Sequence, residues 1–451
     1  SMNTFDIGRQ VFPLPTTFSS SVRHQREAHQ VIPGGAHTYA KGDDQFPENL
    51  APVIVRGQGA NVWDLDGNRF VEFGMGLRSV TLGHGFRSVC DAAYRAMLGG
   101  TNYTRPAHIE LEAAEAMLSL VPGAEMIKFA KNGSDATTAA LRLARAATGR
   151  ELVALCIDHP FFSMDDWFIT TTPMDSGVSA SSRKETLTFS FNDIDSLKKL
   201  FEQHPKQIAA VFLEAERDVA PAPGFLEAVR DLCTREGTVL VFDEIVAGMR
   251  LNAGGGQTLH DVEPDLSTWG KAMANGFALA ALMGKRELMK LGGLEETNRD
   301  RVFLLSTTNG AETHSLAAGI ETIRTYREKD VIGQMAKIGS ELRDGFNQIT
   351  NSMGIGNRLY AIGHPANLVF VTEDSNGSRS QPMRTLFLQE LIKRGVLAPN
   401  LVVSAAHTDK DIEHTLWAVA ESAEIYKKAL EEGVEKYLVG RSVKPVFRKR
   451  A

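Results

Sequence analysis

The turn at residues 132–136 has the composition of an anion-binding site. Apolar residues 126–130 lead into Asn132-Gly133-Ser134-Asp135-Ala136, and a regular helical pattern follows. A helix that starts here would direct free backbone N–H groups and the positive end of its dipole at one point, which suits a phosphate. The alternative is that Ser134 or Asp135 only caps the helix. The turn matches neither GxGxxG nor GxxxxGK[ST], so the common nucleotide fingerprints are absent from it.

Two later residues have side chains suited to chemistry on a carbonyl compound. Asp243 closes the apolar residues 239–242, where a carboxylate could bind a metal, act as a base or hold a cationic ring nitrogen. Lys271 lies in the turn Trp269-Gly270-Lys271-Ala272, where a lysine that loses its proton could form a Schiff base. Most lysines at strand ends are solvated. A phosphate-binding turn, an aspartate and a lysine so placed are nevertheless together what pyridoxal phosphate requires.

These residues end a series of short apolar runs that alternate with helical stretches. The runs are residues 126–130, 152–157, 208–213, 239–242, 266–269 and 279–283. Apolar runs of this length between helices predict a buried, mostly parallel sheet. Ligands of such sheets bind beyond the carboxyl ends of the strands, so Asp243 and Lys271 should meet the 132–134 turn at one rim.

The pattern divides the chain into three parts. Residues 96–330 carry the alternating runs and are predicted to form a large domain, and residues 331–451 a smaller α+β C-terminal domain. Residues 1–95 are rich in glycine and proline and are expected to join the small domain. Within them, residues 61–64 and 69–72 predict a hairpin around Leu65-Asp66-Gly67-Asn68.

Composition and charge exclude several classes of protein. The 451 residues include 49 basic and 55 acidic side chains, a net charge of −6, which argues against binding to nucleic acid. No apolar stretch approaches the roughly 18–20 residues that a membrane-spanning helix needs. The three cysteines, Cys90, Cys156 and Cys233, form no CxxC pair. We therefore expect no disulfide scaffold and no thiolate metal site, and we expect a cytoplasmic location.

Several stretches of the sequence follow the pattern of one enzyme family. They are Pro33-Gly34-Gly35 and residues 62–68, 82–84, 132–136, 141–146, 223–226, 242–244, 270–271 and 404–412. On these stretches the chain resembles the class III aminotransferases, and most of all their glutamate-1-semialdehyde 2,1-aminomutase branch. The resemblance implies an α/β fold of the fold type I class, with a seven-stranded, mostly parallel sheet in the large domain and a smaller α+β C-terminal domain. It also implies pyridoxal 5′-phosphate as cofactor.

The resemblance implies roles for single residues of the cofactor site. Lys271 would form the Schiff base with the cofactor and then move protons, and Asp243 would keep the pyridine nitrogen protonated. Gly133 and Ser134 would bind the phosphate, and Glu214 would face the cofactor.

A second subunit is implied as well. In this family a threonine from the neighbouring subunit touches the phosphate, and it corresponds to Thr308, with Thr307 as the close alternative. The resemblance therefore implies a homodimer with shared active sites.

The stretch that should supply a ring to stack on the cofactor departs from the family pattern. The family has an aromatic residue followed by His-Gly, whereas this chain has Asp158-His159-Pro160-Phe161-Phe162. We expect Phe161 to take over the stacking, with Phe162 and His159 as the alternatives.

The substrate side departs from the pattern too. Residues 36–41 replace the Ser-x-Val-Arg-like stretch with which the aminomutases recognise the substrate carboxylate. We expect His37, Tyr39 and Lys41 to shape the pocket entrance. Arg78, next to the position of a substrate-facing tryptophan, would suit an anionic or hydroxyl-rich substrate, or would form a structural salt bridge.

Because the cofactor residues are intact and the substrate side differs, the sequence favours an aminotransferase. It would move an amino group from an amino acid such as glutamate to a carbonyl of a polar or anionic acceptor, for example a keto- or aldehydo-sugar. The alternative within the family is an intramolecular aminomutase. A nicotinamide-dependent oxidoreductase would leave Lys271 unexplained, and a catalytically silent binding protein would not need Lys271 and Asp243.

Overall fold

The computed structural model describes residues 9–159 and 161–451, so Pro160 and the first eight residues of the predicted N-terminal segment lie outside the described residues. In chain order the strands are β1 (Ile54–Gln58), β2 (Asn61–Asp64), β3 (Arg69–Glu72), β4 (Met126–Ala130), β5 (Leu152–Cys156), β6 (Thr186–Phe189), β7 (Ile208–Leu213), β8 (Val239–Asp243), β9 (Leu266–Trp269), β10 (Ala280–Gly284), β11 (Leu359–Ile362), β12 (Val369–Thr372) and β13 (Val396–Leu397).

The α-helices follow the same order. They are α1 (Ser19–Val31), α2 (Met75–Arg78), α3 (Arg87–Leu98), α4 (Ile109–Leu118), α5 (Gly133–Thr148), α6 (Asp166–Ile169), α7 (Ala180–Glu185), α8 (Ile194–Gln203), α9 (Phe225–Glu236), α10 (Gly255–Leu259), α11 (Arg286–Met289), α12 (Thr313–Glu328), α13 (Val331–Ser352), α14 (Gln381–Lys393) and α15 (Asp409–Glu432). Of these, α2 is a single turn with left-handed backbone. No helix in the described part of the chain is long and apolar enough to cross a membrane.

The chain forms two compact units. Of the described residues, the first unit contains those within 1–77, 81–86 and 333–446, and the second unit contains those within 78–80, 87–332 and 447–451. The boundary predicted at residue 95 falls within α3, which packs against α12 of the second unit.

The second unit is built on a seven-stranded sheet in the order β4-β10-β9-β8-β7-β5-β6. The four pairs from β9 to β6 are parallel, and β10 runs antiparallel to both β4 and β9. The six predicted apolar runs coincide with six of these strands within one residue at each end. The fold class expected from the sequence, an α/β fold with a mostly parallel seven-stranded sheet, is confirmed.

Helices cover both faces of this sheet, which explains why its strands are apolar throughout. On one face, α5 packs through Ala136, Ala140 and Leu143 against a cluster that includes Val241. Phe242 belongs to the cluster on the opposite face. Since side chains alternate along a strand, the next residue, Asp243, returns to the α5 face.

The first unit contains a four-stranded sheet in the order β1-β2-β3-β13 and a separate β11-β12 pair. The predicted hairpin is confirmed, because β2 and β3 are antiparallel and pair Val62 with Phe70. Helices α14 and α15 pack together, in the region where the sequence predicted an α+β domain.

Candidate active site

At the start of α5, one residue caps the helix and another keeps a hydroxyl proton available. The carboxylate of Asp135 accepts from the backbone N–H of Asn132 at 3.2 Å, so Asp135 does take part in capping. Ser134 Oγ instead accepts from the backbone N–H of Met164 at 2.9 Å, which leaves its own proton available to an anion. A Cβ on Gly133 would lie 2.5 Å from Ile245 Cδ1, so only glycine lets the backbone run here without displacing Ile245.

Asp243 lies at the end of β8 and is only 3% exposed. Its Oδ1 accepts from the backbone N–H of Ile245 at 3.0 Å and from the hydroxyl of Thr268 at 3.2 Å. Burial raises the pKa of Asp243 well above its usual range, and the nearby Glu214 raises this pKa further. A buried carboxylate is stabilised by a nearby cation, and Asp243 Oδ2 can accept a hydrogen bond from one.

Lys271 follows β9 and opens a short 3-10 helix, Lys271–Ala274. Its φ of +45° lies in the left-handed region, which a residue with a side chain occupies only when its surroundings enforce it. Burial lowers the pKa of Lys271 to about 8, and the charges of Arg78 and Arg217 contribute to this shift. A substantial fraction of the amine is therefore neutral near neutral pH.

Glu214 and His159 lie side by side at the ends of β7 and β5. The backbone N–H of Glu214 donates to His159 Nδ1 at 3.0 Å, which places the proton of a neutral His159 on Nε2. Burial lowers the pKa of His159, so the imidazole is neutral at physiological pH. Glu214 is 2% exposed, its Oε2 receives no hydrogen bond from the described residues, and Arg217 Nη1 lies 3.5 Å from that oxygen.

The preferred stacking residue, Phe161, packs against another aromatic ring. Its ring is 48% exposed and stacks on Phe447 at 6.3 Å between ring centroids. Phe162 is buried in the core against Phe168 and Phe212. Among the three residues considered, His159 is the one that directly contacts Glu214. His159 is packed against an aromatic ring as well, 5.1 Å from Phe191 between ring centroids. The stacking role stays a prediction, and the contact with Glu214 favours His159 for it.

Arg78 lies in a cluster of arginines, and the sequence indicated only Arg78 among them. Burial lowers the pKa of Arg78 to about 9, and the charges of Arg217 and Arg250 lower it as well. Arg250, which is fully buried, donates from Nη2 to the carbonyl oxygen of Arg78 at 3.4 Å. Arg217 and Arg250 carry no sequence signal of their own, because an arginine after a strand is usually solvated.

The remaining predicted residues are exposed in the structure. Thr308 and Thr307 are exposed in a loop before α12, and the carbonyl oxygen of Thr308 accepts from Asn102 Nδ2 at 3.0 Å. His37 and Tyr39 belong to the first unit and are exposed, as is Lys41.

With this geometry in view, comparison with known proteins identifies the family. Residues 40–398 match the model of the Aminotransferase class-III family. The glutamate-1-semialdehyde 2,1-aminomutase of Alkaliphilus oremlandii is 33% identical over 420 residues, which cover 89% of this chain and 97% of that relative. The chain belongs to the class III aminotransferase family.

Solved structures of other proteins share this fold. The PLP internal aldimine form of the FumI protein of Sphingopyxis sp. MTA144 is 28% identical, with a TM-score of 0.83 over 91% of this chain and 97% of that one. An omega-transaminase from Sphaerobacter thermophilus, 23% identical, has the same fold, with a TM-score of 0.80 over 92% of this chain and 98% of that one. The fold type I assignment and the cofactor, pyridoxal phosphate, are confirmed.

The residues of this class III aminotransferase fit that cofactor. Asp243 and Glu214 are buried carboxylates, and Glu214 Oε2 has no hydrogen-bond donor among the described residues. A protonated pyridine nitrogen is the kind of donor that such a pair of acids can accommodate. The N–H groups at the start of α5 and the Ser134 hydroxyl suit a phosphate, and Lys271 suits an aldehyde.

Proposed function

We propose that the protein is an aminotransferase that takes the amino group of an amino acid, glutamate being the first candidate, and transfers it to a carbonyl of a polar or anionic acceptor. The observation that carries the proposal is the pair Arg78 and Arg217, whose charges both act on Lys271. Guanidinium groups are well suited to bind carboxylate and phosphate. A substrate with such a group would be held next to the reactive amine.

Pyridoxal phosphate supplies an aldehyde that captures amines and a ring that accepts electrons. In our proposal Lys271 binds the cofactor and holds or releases a proton at Nζ. Its lowered pKa suits this task, because a group that must both give and take a proton works best with a pKa near the working pH.

The other residues of the cofactor site would bind and orient. Asp243 would hold the proton of the pyridine nitrogen as an ion pair, since its own hydrogen bonds to Ile245 and Thr268 fix the carboxylate. Gly133 and Ser134 would bind the phosphate at the start of α5. His159 would lie against the ring, held by its hydrogen bond to the backbone of Glu214.

On the substrate side, Arg78 and Arg217 would bind the anionic group. Arg217 also balances the buried charge of Glu214, at an N–O distance of 3.5 Å, which is longer than in a strong ion pair. His37 and Tyr39 stay proposals for the pocket entrance.

We further propose a homodimer in which Thr308, or Thr307, reaches the phosphate of the neighbouring subunit. The exposure of both threonines in the single chain supports this assignment, since they are available to another subunit. Sedimentation of the protein would test it, with a monomer that keeps full activity as the contrary result.

The half-reaction with glutamate tests the aminotransferase proposal. The protein with its cofactor, without any acceptor, should release one 2-oxoglutarate per site from added glutamate. Arg78→Gln and Arg217→Gln should raise the glutamate concentration needed for half of this burst, whereas Arg142→Gln, a change at an exposed arginine of α5, should not. If none of the common amino acids produced a burst of keto acid, the proposal would be contradicted.

The second candidate is an intramolecular aminomutase, which the names of the curated relatives favour, at 30% and 33% identity. An aminomutase needs no added donor and releases no keto acid. Conversion of glutamate-1-semialdehyde without a donor, together with the absence of a glutamate burst, would favour this candidate.

A further inference from the structure

Lys131 links several segments of the predicted cofactor site through one ammonium group. It follows β4 directly, and its side chain is 14% exposed. Nζ donates to the carbonyl oxygen of Ala278 at 3.0 Å and to Ser315 Oγ at 2.8 Å, and it forms an ion pair with Glu312 Oε1 at 2.9 Å. All three N–H bonds of the ammonium are therefore used within the protein.

Each of these partners belongs to a segment next to a predicted cofactor residue. Lys131 itself precedes the phosphate-binding turn, residues 132–134. Ala278 lies between the Lys271–Ala274 helix and β10. Glu312 and Ser315 flank the first residues of α12, directly after the loop that contains Thr307 and Thr308.

The loop before α12 also contacts β4 next to Lys131. The backbone N–H of Gly310 donates to the carbonyl oxygen of Thr307 at 3.2 Å, which tightens the loop. A Cβ on Gly310 would lie 2.5 Å from Thr307 Oγ1 and 3.6 Å from the carbonyl oxygen of Phe129. The loop therefore packs close to β4, two residues before Lys131.

We propose that Lys131 is a positioning residue. It holds the phosphate-binding turn, the segment after Lys271 and the loop of Thr307 and Thr308 in fixed relation, and it thereby sets the affinity of the site for the phosphate of the cofactor. This inference rests on the proposed function in one respect, the assignment of the phosphate to Gly133 and Ser134.

A positioning role for Lys131 and a simple attraction between its charge and the phosphate predict different results. If Lys131 acted only by attracting the phosphate through its positive charge, loss of the Glu312 carboxylate would strengthen phosphate binding. If the ion pair holds the segments in place, loss of either partner weakens phosphate binding. The two partners then act as one unit, so the double variant is little worse than the more affected single variant.

The experiment measures dissociation constants of the apoprotein for pyridoxal phosphate and for pyridoxal, which lacks the phosphate. Lys131→Met and Glu312→Gln should each lower the affinity for pyridoxal phosphate, by about tenfold for Lys131→Met, and change that for pyridoxal by no more than about twofold. Lys128→Met is the matched control, since Lys128 is an exposed lysine on the same strand. Its two dissociation constants should equal those of the wild type.

Thermal melting and near-UV circular dichroism verify that each variant is folded. If Lys131→Met is not folded, Glu312→Gln alone tests the proposal. Tighter binding of pyridoxal phosphate by Glu312→Gln, or equal losses for both ligands, would overturn the positioning role. Ser134→Ala separates the two proposals. If Ser134→Ala selectively weakens phosphate binding but the Lys131 and Glu312 variants do not, the positioning role of Lys131 is wrong and the phosphate assignment stands. If Ser134→Ala has no selective effect, the phosphate assignment fails.

Discussion

The pKa of Lys271 predicts how fast the apoprotein rebinds its cofactor at different pH values. Only the neutral amine attacks the aldehyde of pyridoxal phosphate, so the rate should fall as the pH falls through the pKa of Lys271. Burial, with help from Arg78 and Arg217, lowers this pKa from 10.5 to about 8. The pH profile of rebinding should therefore have its midpoint near pH 8.

The expected size of the effect follows from this shift. At pH 7.5 a lysine with a pKa of about 8 is neutral in about a quarter of the molecules. With the ordinary value of 10.5 the neutral fraction would be about one in a thousand. The protein should thus rebind the cofactor about 200-fold faster at pH 7.5 than an unperturbed lysine would allow.

Two variants should move the midpoint in opposite directions. Arg78→Gln removes a positive charge that lowers the pKa of Lys271, so the midpoint should rise. Glu214→Gln removes a negative charge that raises this pKa, so the midpoint should fall. We expect each shift to be on the order of one pH unit or less, because burial, the largest cause, stays in place. Arg142→Gln is the control and should leave the midpoint unchanged.

The assay follows the absorbance of bound pyridoxal phosphate after mixing with apoprotein between pH 6 and pH 10. Borohydride reduction and peptide mapping then verify that the cofactor is attached at Lys271. A midpoint near pH 10 in the wild type would refute the argument from burial. Shifts of the same sign in Arg78→Gln and Glu214→Gln would refute the argument from the neighbouring charges.

Three further predictions concern the residues around the cofactor. Asp243→Asn should keep the cofactor but lower the rate of the glutamate half-reaction at least about a hundredfold, because the ring nitrogen loses its ion pair; an unchanged single-turnover rate would contradict this role. His159→Ala should weaken cofactor binding about three- to tenfold, whereas Phe161→Ala should change it less than about twofold, in a fluorescence titration. Gly133→Ala should change the free energy of unfolding by less than about 1 kcal/mol, because its Cβ would meet only the end of the half-buried Ile245 side chain and a helix favours alanine over glycine; a loss of more than about 2 kcal/mol in urea unfolding would contradict this.

The sheet of the second unit could be predicted because its strands are buried on both faces. Residues 208–213 form a continuous apolar run, and β7 spans the same residues. The order of the strands could not be read in this way. Nothing in the run at residues 280–284 shows that β10 is antiparallel and lies between β4 and β9.

Individual site residues were predictable where a chemical group closes a strand. Asp243 ends β8 and Lys271 lies two residues after β9, and burial shifts the pKa of each, while their catalytic roles stay predictions. The stacking residue was predicted as Phe161 because aromatic character is visible in a sequence. Whether a ring is already occupied by other rings is not visible, and Phe447, which packs on Phe161, is far away in the chain.

The sequence by itself determined the strands of the sheet, the turn at the start of α5 and the places of Asp243 and Lys271 after their strands, because each depends on a few neighbouring positions. Only the tertiary structure brought Arg217 and Arg250 to Arg78 and gave Lys131 its three partners. These are long-range relations between charged residues that, taken one at a time, look like ordinary solvated side chains. The effect of such groups on one another depends on burial and distance, which arise only when separate segments pack together.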